Sequence, residues 1–198
     1  MAIPKTYRAA SRRKSGSSND RLPPFDGTTL ARRFWRFSLQ FYRSRGVAAA
    51  LLRLQDQGRL DVNLLLLCCF AASCGRRLRR RQLMAANRTI AQWNDDAIQP
   101  LRSVRRALKG QAGQAFAAPA LRLRPQVARL ELAAERVAQT ALAHWLADFP
   151  VVVEPEDRAA LALGNLTSYS ELAGRKSNRG EAADLAFLAV ALGSPRRR

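Results

Sequence analysis

Five arginines within six positions, Arg76, Arg77, Arg79, Arg80 and Arg81, form the densest concentration of charge in this chain. A guanidinium is a planar fork of donors that matches carboxylate and phosphate oxygens two at a time, so the run is a candidate anion- or partner-binding site. The bland alternative is a solvated helix end. Arg102, Arg106 and Lys109, with Arg105 at their flank, make a second basic set on one side of a helix. Glu131 and Glu135 stand four residues apart at the border of an apolar face, where a carboxylate pair holds a neighbouring helix's arginine or helps ligate a metal. Cations abound and no histidine is spaced to complete a ligand set, which favours the arginine reading. Asp61 and Asn63 sit at the mouth of the apolar run Leu64–Ala72, where a side-chain oxygen can accept the unpaired amides of a first helical turn. An interhelical cavity collecting Asp61, Asn63, Glu131 and Glu135 would be the route to metal or small-molecule chemistry. Trp35 and Tyr42 would line a groove if their side of a helix faced a ligand or partner helix.

The motifs of common cofactor and zinc chemistry are missing: the chain has no GxxxxGKS, GxGxxG, HExxH or paired CxxC. No cofactor and no metal site is therefore expected. Asp95 and Asp96 open the string DDAIQ, which lacks the third carboxylate of the DDxxD that holds magnesium diphosphate in helical isoprenoid synthases. His144, the single histidine, lies beside an apolar face and reads as structural. Cys68, Cys69 and Cys74 fall in one apolar helix; adjacent helical positions point about 100° apart, so the first two do not converge on a metal. They read as reduced, buried thiols of a cytoplasmic protein.

The formal charge is +19, and only four of the 34 basic residues are lysine. An arginine-heavy, alanine- and leucine-rich composition is what a GC-rich coding genome produces, but the field remains and attracts polyanions at low salt. A chain of 198 residues with 47% apolar content can bury one substantial core. No segment reaches the roughly 18–20 apolar residues a membrane span needs. The N-terminus lacks the apolar core of a secretory signal; its arginines and serines suit a disordered basic tail or an organellar transit peptide, the tail being the simpler reading.

The elements that must position these residues are helical. Residues 1–27 read as a disordered basic arm, 28–149 as a helical core domain, and 150–198 as a C-terminal extension with weak helices and a basic tail. A helix from Leu30 to about Arg45 puts Leu30, Phe34, Phe37 and Phe41 in one stripe and Trp35, Leu39 and Tyr42 in another. Val47–Gln57 reads as a second helix and Val62 to about Leu78 as a third, whose C-terminus would carry the Arg76–Arg81 run. Ile90, Trp93, Ala97, Leu101, Val104 and Leu108 share a face over 87–109, with Pro100 kinking that helix or starting a new one. Gly110–Pro119 reads as a loop, and Pro125–Asp148 as a helix burying Val127, Leu130, Ala134, Val137, Ala141 and Trp145. Val151–Val153 suggests a short extended piece, with further helices at Glu154–Gly164 and Gly180–Leu192.

The order FWRFSLQFY, LQDQGRLDVNLLLLCCFAA, IQPLRSVRRALKG and ELAAER over Leu30–Leu146 resembles a family of small bacterial proteins known only as conserved hypothetical, a domain of unknown function. The DVN-plus-leucine run is its most specific element. The resemblance implies an all-α cytoplasmic protein with no activity or catalytic residue to carry over. The combined expectation is an all-α bundle, orthogonal or up-down, of about five to seven helices. Its expected function is a non-enzymatic regulatory or adaptor module holding a protein or polyanionic partner on an arginine-rich surface. Nucleic acid is the alternative partner, contacted at its phosphates because interleaved exposed aromatics are lacking.

Overall fold

The computed structural model describes residues 29–110, 117–149, 158–174 and 178–193. The expected basic arm, the Val151–Val153 piece and the terminal Arg196–Arg198 lie outside the described residues. Those described are all-α: α1 Thr29–Tyr42, α2 Val47–Asp56, α3 Val62–Ser73, α4 Arg80–Trp93, a π-helical turn Asn94–Ile98, α5 Gln99–Gly110, α6 Ala117–Ala147, α7 Arg158–Ser170, a 3₁₀ turn Glu171–Ala173 and α8 Arg179–Gly193. They divide into two compact units, a larger one from the described parts of Thr28–Thr89 and Gln139–Arg198, and a smaller one from those of Ile90–Ala138.

The larger unit is built around α3. Every residue from Asn63 to Ala72 is buried, as a helix apolar on all sides requires. Neighbouring helices surround it: α7 packs along α3, α8 packs on α7 and α2, and α1 and α2 also reach α3. From α1, Phe34 stacks on Phe70 at 4.8 Å between ring centroids and Phe37 tilts against Phe70 at 5.4 Å. The segment read as an appendage after residue 150 thus contributes α7 and α8 to the packing around α3.

Local chemistry sets the ends of α3. Asp61 accepts from the amides of Asn63 at 2.8 Å and Leu64 at 3.2 Å, and its own amide donates to the Tyr169 hydroxyl at 2.9 Å. At the other end Gly75 takes a left-handed φ of 70°. The Arg76 amide donates to the Ala71 carbonyl at 2.8 Å and the Gly75 amide to Ala72 at 2.9 Å, the paired bonds of a Schellman turn. This corrects the third helix, expected to run to about Leu78. It stops at Ser73 because the glycine reverses the chain and satisfies the last carbonyls.

Gly46 also has a conformational duty. It starts α2 at φ 82°, and a Cβ there would stand 2.8 Å from Cζ of Phe187 on α8. The same pair of helices is joined by Arg53, whose Nε and Nη2 meet Asp184 Oδ2 and Oδ1 at 2.9 and 2.6 Å.

In the smaller unit the backbone widens into a π turn just before Pro100, which has no amide to donate and whose ring crowds the carbonyl four residues back. Helix α6 begins at Ala117 and runs through Pro125, so Pro125 lies inside the helix rather than at its first turn. Both Pro125 and Leu121, whose carbonyl loses its partner, are exposed, and water can replace the missing bond. The buried side of α6 is also rotated from the expected stripe: Ala128, Glu131, Ala134 and Ala138 are buried, while Leu130 and Val137 face solvent. The reason is polar: this helix turns its glutamates inward.

Candidate functional site

Asn165, in the middle of α7 and 1% exposed, organises the arginine-rich turn between α3 and α4. Its Oδ1 accepts the Leu78 amide at 2.8 Å, and its Nδ2 donates to the carbonyls of Cys68 at 3.2 Å and Arg76 at 3.1 Å. One buried amide therefore fixes both sides of Arg77 in the backbone, and the Leu78 side chain is buried beside it. On this pinned turn Arg77 and Arg79, on either side of buried Leu78, are exposed.

The five arginines separate into two roles. Arg76 folds back and donates from Nη1 to the Leu146 carbonyl at 2.6 Å, closing a C-terminal carbonyl of α6. Arg77, Arg79, Arg80 and Arg81 are exposed. Arg80 and Arg81 open α4 instead of closing α3, which corrects the expected placement at a helix C-terminus. There the helix dipole is positive and the first turn contains no acidic residue, so each cation is disfavoured by a few tenths of a kcal/mol, about 0.3–1. The Arg79 amide is met by Gln82 Oε1 at 2.7 Å, a neutral cap that leaves the charge uncompensated. Arg77 and Arg79 border a partly open cleft of about 450 Å³ whose far wall is the α7 surface of Leu161, Gly164, Asn165 and Ser168. Gly164 leaves that wall bare, with no atom within 4 Å of where a Cβ would stand.

The second basic set does not form a solvated stripe. Arg102 has a side chain only 7% exposed; its Nε meets Glu131 Oε1 at 3.3 Å and its Nη2 meets Glu135 Oε1 at 3.1 Å. Arg105 Nη2 also reaches Glu131 Oε1 at 3.1 Å, and its Nε pairs with Glu131 Oε2. Both arginines leave the candidate anion-binding set because they neutralise the glutamates that α6 buries. Arg106 and Lys109 are exposed on α5. Trp93 adds a bond from Nε1 to the Ala134 carbonyl at 2.9 Å, so an indole and an ion-pair network hold α5 and its preceding turns to α6.

The four polar residues considered for a metal or small-molecule cavity fall in different units, Asp61 and Asn63 in the larger, Glu131 and Glu135 in the smaller. Asp61 caps α3, and Asn63 Oδ1 accepts from Gln139 Nε2 at 3.0 Å inside the core. The glutamates hold arginines. No cluster of three or more His, Cys, Asp or Glu able to hold a metal occurs among the described residues. Of the pair considered for a groove, Tyr42 is buried, whereas Trp35, like Leu39 on the same stripe of α1, is half-buried.

Burial pushes the Cys69 thiol up to about 12 and the Cys68 thiol well above its ordinary value, so neither is a thiolate near neutrality. Cys74 is half-buried at the end of α3. His144 is exposed, and Asp95 and Asp96 are exposed on the π turn. The residue that sequence reasoning missed is Asn165. Its signal, a polar residue flanked by Leu161, Ala162 and Leu166 on an apolar face, is visible in the sequence, but its partners are 87 to 97 positions away.

No described helix is long and apolar enough to cross a membrane. No curated protein and no solved structure matches the chain. A family model described as "Protein of unknown function (DUF2390)" matches residues 33–142. That match spans more than half of the sequence and contains the capped leucine helix, the arginine turn and the Arg–Glu network, so the chain belongs to this family of unknown function, DUF2390.

Proposed function

We propose that this protein is a non-catalytic regulatory or adaptor module of the cytoplasm that holds an anionic partner at the turn between α3 and α4. The observation that carries the reading is the set of four exposed guanidinium groups, Arg77, Arg79, Arg80 and Arg81, on a backbone pinned by buried Asn165. Two of them border the cleft and two crowd a positive helix end. Separately, each is an ordinary surface arginine. Together they make a concentrated positive potential whose local electrostatic cost an incoming phosphate or carboxylate would offset. The fixed backbone lowers the ordering cost of binding, because only side-chain rotamers must be frozen.

The test compares two variants of equal charge. One carries Arg77→Gln, Arg79→Gln, Arg80→Gln and Arg81→Gln; the other replaces exposed Arg32, Arg36, Arg88 and Arg158 by Gln. Binding of a labelled glutamate-rich peptide and of a labelled single-stranded oligonucleotide is followed by anisotropy at low and moderate salt. A loss of tenfold or more confined to the first variant supports the site. Equal losses in both would reduce the binding to net charge and reject it. A preference for the oligonucleotide, with a steep salt dependence, would identify nucleic-acid phosphate as the partner class.

A further inference from the structure

Gly164 is a glycine that neither the backbone nor the packing of α7 requires. It lies inside the helix, its φ is not left-handed, and a Cβ added there would meet nothing within 4 Å. Glycine is unfavourable at such a position relative to alanine, so the helix gives up stability there without a contact in return. What the missing side chain provides is room. Leu161 and Ser168, three residues before and four after, share its side of α7, and all three line the cleft bordered by Arg77 and Arg79. Among the described residues no acidic side chain forms an ion pair with either arginine, and the lining holds no aspartate, glutamate or histidine. Ser168 adds a half-buried hydroxyl to the same wall.

We propose that this cleft seats a phosphate monoester, an inference that rests on the reading of the arginine turn as an anion site and narrows its ligand. Charge and atom count select the group. Two guanidinium groups without an acidic partner match the charge of about −1.5 to −2 that a phosphate monoester carries near neutrality. Its three terminal oxygens offer an acceptor to each planar fork and to the Ser168 hydroxyl. A carboxylate or a phosphodiester has a single negative charge and two free oxygens, and leaves one arginine uncompensated. Size selects what the group is attached to. A cleft of about 450 Å³ exceeds a phosphoryl group and falls within the range of small-ligand sites, about 300–1,000 Å³. The rest of the space is bounded by Leu161 and Gly164, a wall without charge against which the organic part of the ester lies. A phosphorylated side chain and a small phosphorylated metabolite present the same chemistry here.

The experiment follows binding of a labelled phosphoserine peptide to the full chain by anisotropy, beside the same peptide with glutamate at that position. The phosphoserine peptide should bind at least about tenfold more tightly than the glutamate peptide. Arg77→Gln with Arg79→Gln should cost about tenfold or more, whereas Arg80→Gln with Arg81→Gln, equal in charge but outside the lining, should cost less than about threefold. Gly164→Leu should weaken binding about tenfold while its urea midpoint stays at or above that of the wild type, because the new side chain fills the cleft and improves the helix. Affinity should also fall about tenfold from pH 7 to pH 5, as the second phosphate ionisation near 6 is lost and no group of the lining titrates in that range. Competition by unlabelled ribose 5-phosphate identifies the source: displacement near the peptide's own dissociation constant points to a metabolite, and displacement only at about a hundredfold excess points to a phosphorylated protein. Equal affinity for the two peptides, or full binding by Gly164→Leu, would overturn the inference. If a glutamate-rich peptide or an oligonucleotide still depends on the four turn arginines, that result leaves the anion site standing and removes only the phosphate monoester. Indifference of every probe to those arginines removes both.

Discussion

Replacing Asn165 by alanine should be among the most damaging single changes in the larger unit, although Asn165 touches no ligand. The substitution removes three hydrogen bonds made by one 1%-exposed side chain. The Leu78 amide loses its acceptor, and a buried donor left unsatisfied costs about 1–3 kcal/mol. The Arg76 and Cys68 carbonyls lose a donor, at about 0.5–1.5 kcal/mol each, and a small cavity remains. The sum is about 3–5 kcal/mol, or on the order of 10 °C in melting temperature for a chain of this size. Urea unfolding followed by far-UV circular dichroism would measure it, and hydrogen exchange at the Leu78 amide would locate it. The neighbouring exposed Thr167→Ala serves as the control, expected within about 0.5 kcal/mol of wild type. Asn165→Asp distinguishes the hydrogen-bond argument from mere volume: it keeps the acceptor for Leu78 but points a carboxylate at two carbonyls, so it should be destabilising at neutral pH and partly recovered by acid. A loss below about 1 kcal/mol for the alanine variant would refute the claim that this amide holds the arginine turn.

Four further outcomes follow from the same physics. Glu131→Ala leaves Arg102 buried with only Glu135 as carboxylate partner and should cost about 3–5 kcal/mol, read as faster amide exchange in α5 and in α6 around residue 131. Stability should fall as pH rises above about 8.5, because Cys68, Cys69 and Tyr169 all have ionisations raised by burial: the unfolded chain releases these protons first, so the stabilisation is complete below the unfolded values and lost above them. A thiol reagent at neutral pH should accordingly label Cys74 first and reach Cys68 and Cys69 only with unfolding, which mass spectrometry of the labelled peptides will check. Gly46→Ala should destabilise by more than about 1 kcal/mol in urea titration, since it places a Cβ on a left-handed residue and against the Phe187 ring; Phe187→Ala in the same chain should remove the steric part but not the backbone part.

The sequence by itself determined what local chemistry can dictate. The apolar run after Asp61 specifies a buried helix and its capped start, and the aromatic spacing of Phe34, Phe37 and Phe41 specifies the inner side of α1. The four-residue interval of Glu131 and Glu135 puts two carboxylates within reach of one arginine. These depend on helical periodicity and on groups a few residues apart. Where α3 ends was legible only in part, because Gly75 competes with the apolar pull of Leu78, and the Schellman bonds decide in favour of the glycine.

Tertiary structure decided which arginines remain available to a partner. In the sequence Arg76, Arg77, Arg102 and Arg106 are equivalent cations, whereas in the fold Arg76 closes a carbonyl 70 residues away and Arg102 neutralises a glutamate 29 residues away. It also decided that Leu130 and Val137 face solvent, since Glu131 and Ala134 claim the inner side of α6. The physical reason is common to both: a charge or an apolar side chain is consumed or left exposed by neighbours that only chain folding brings near, and no short-range pattern encodes who those neighbours are.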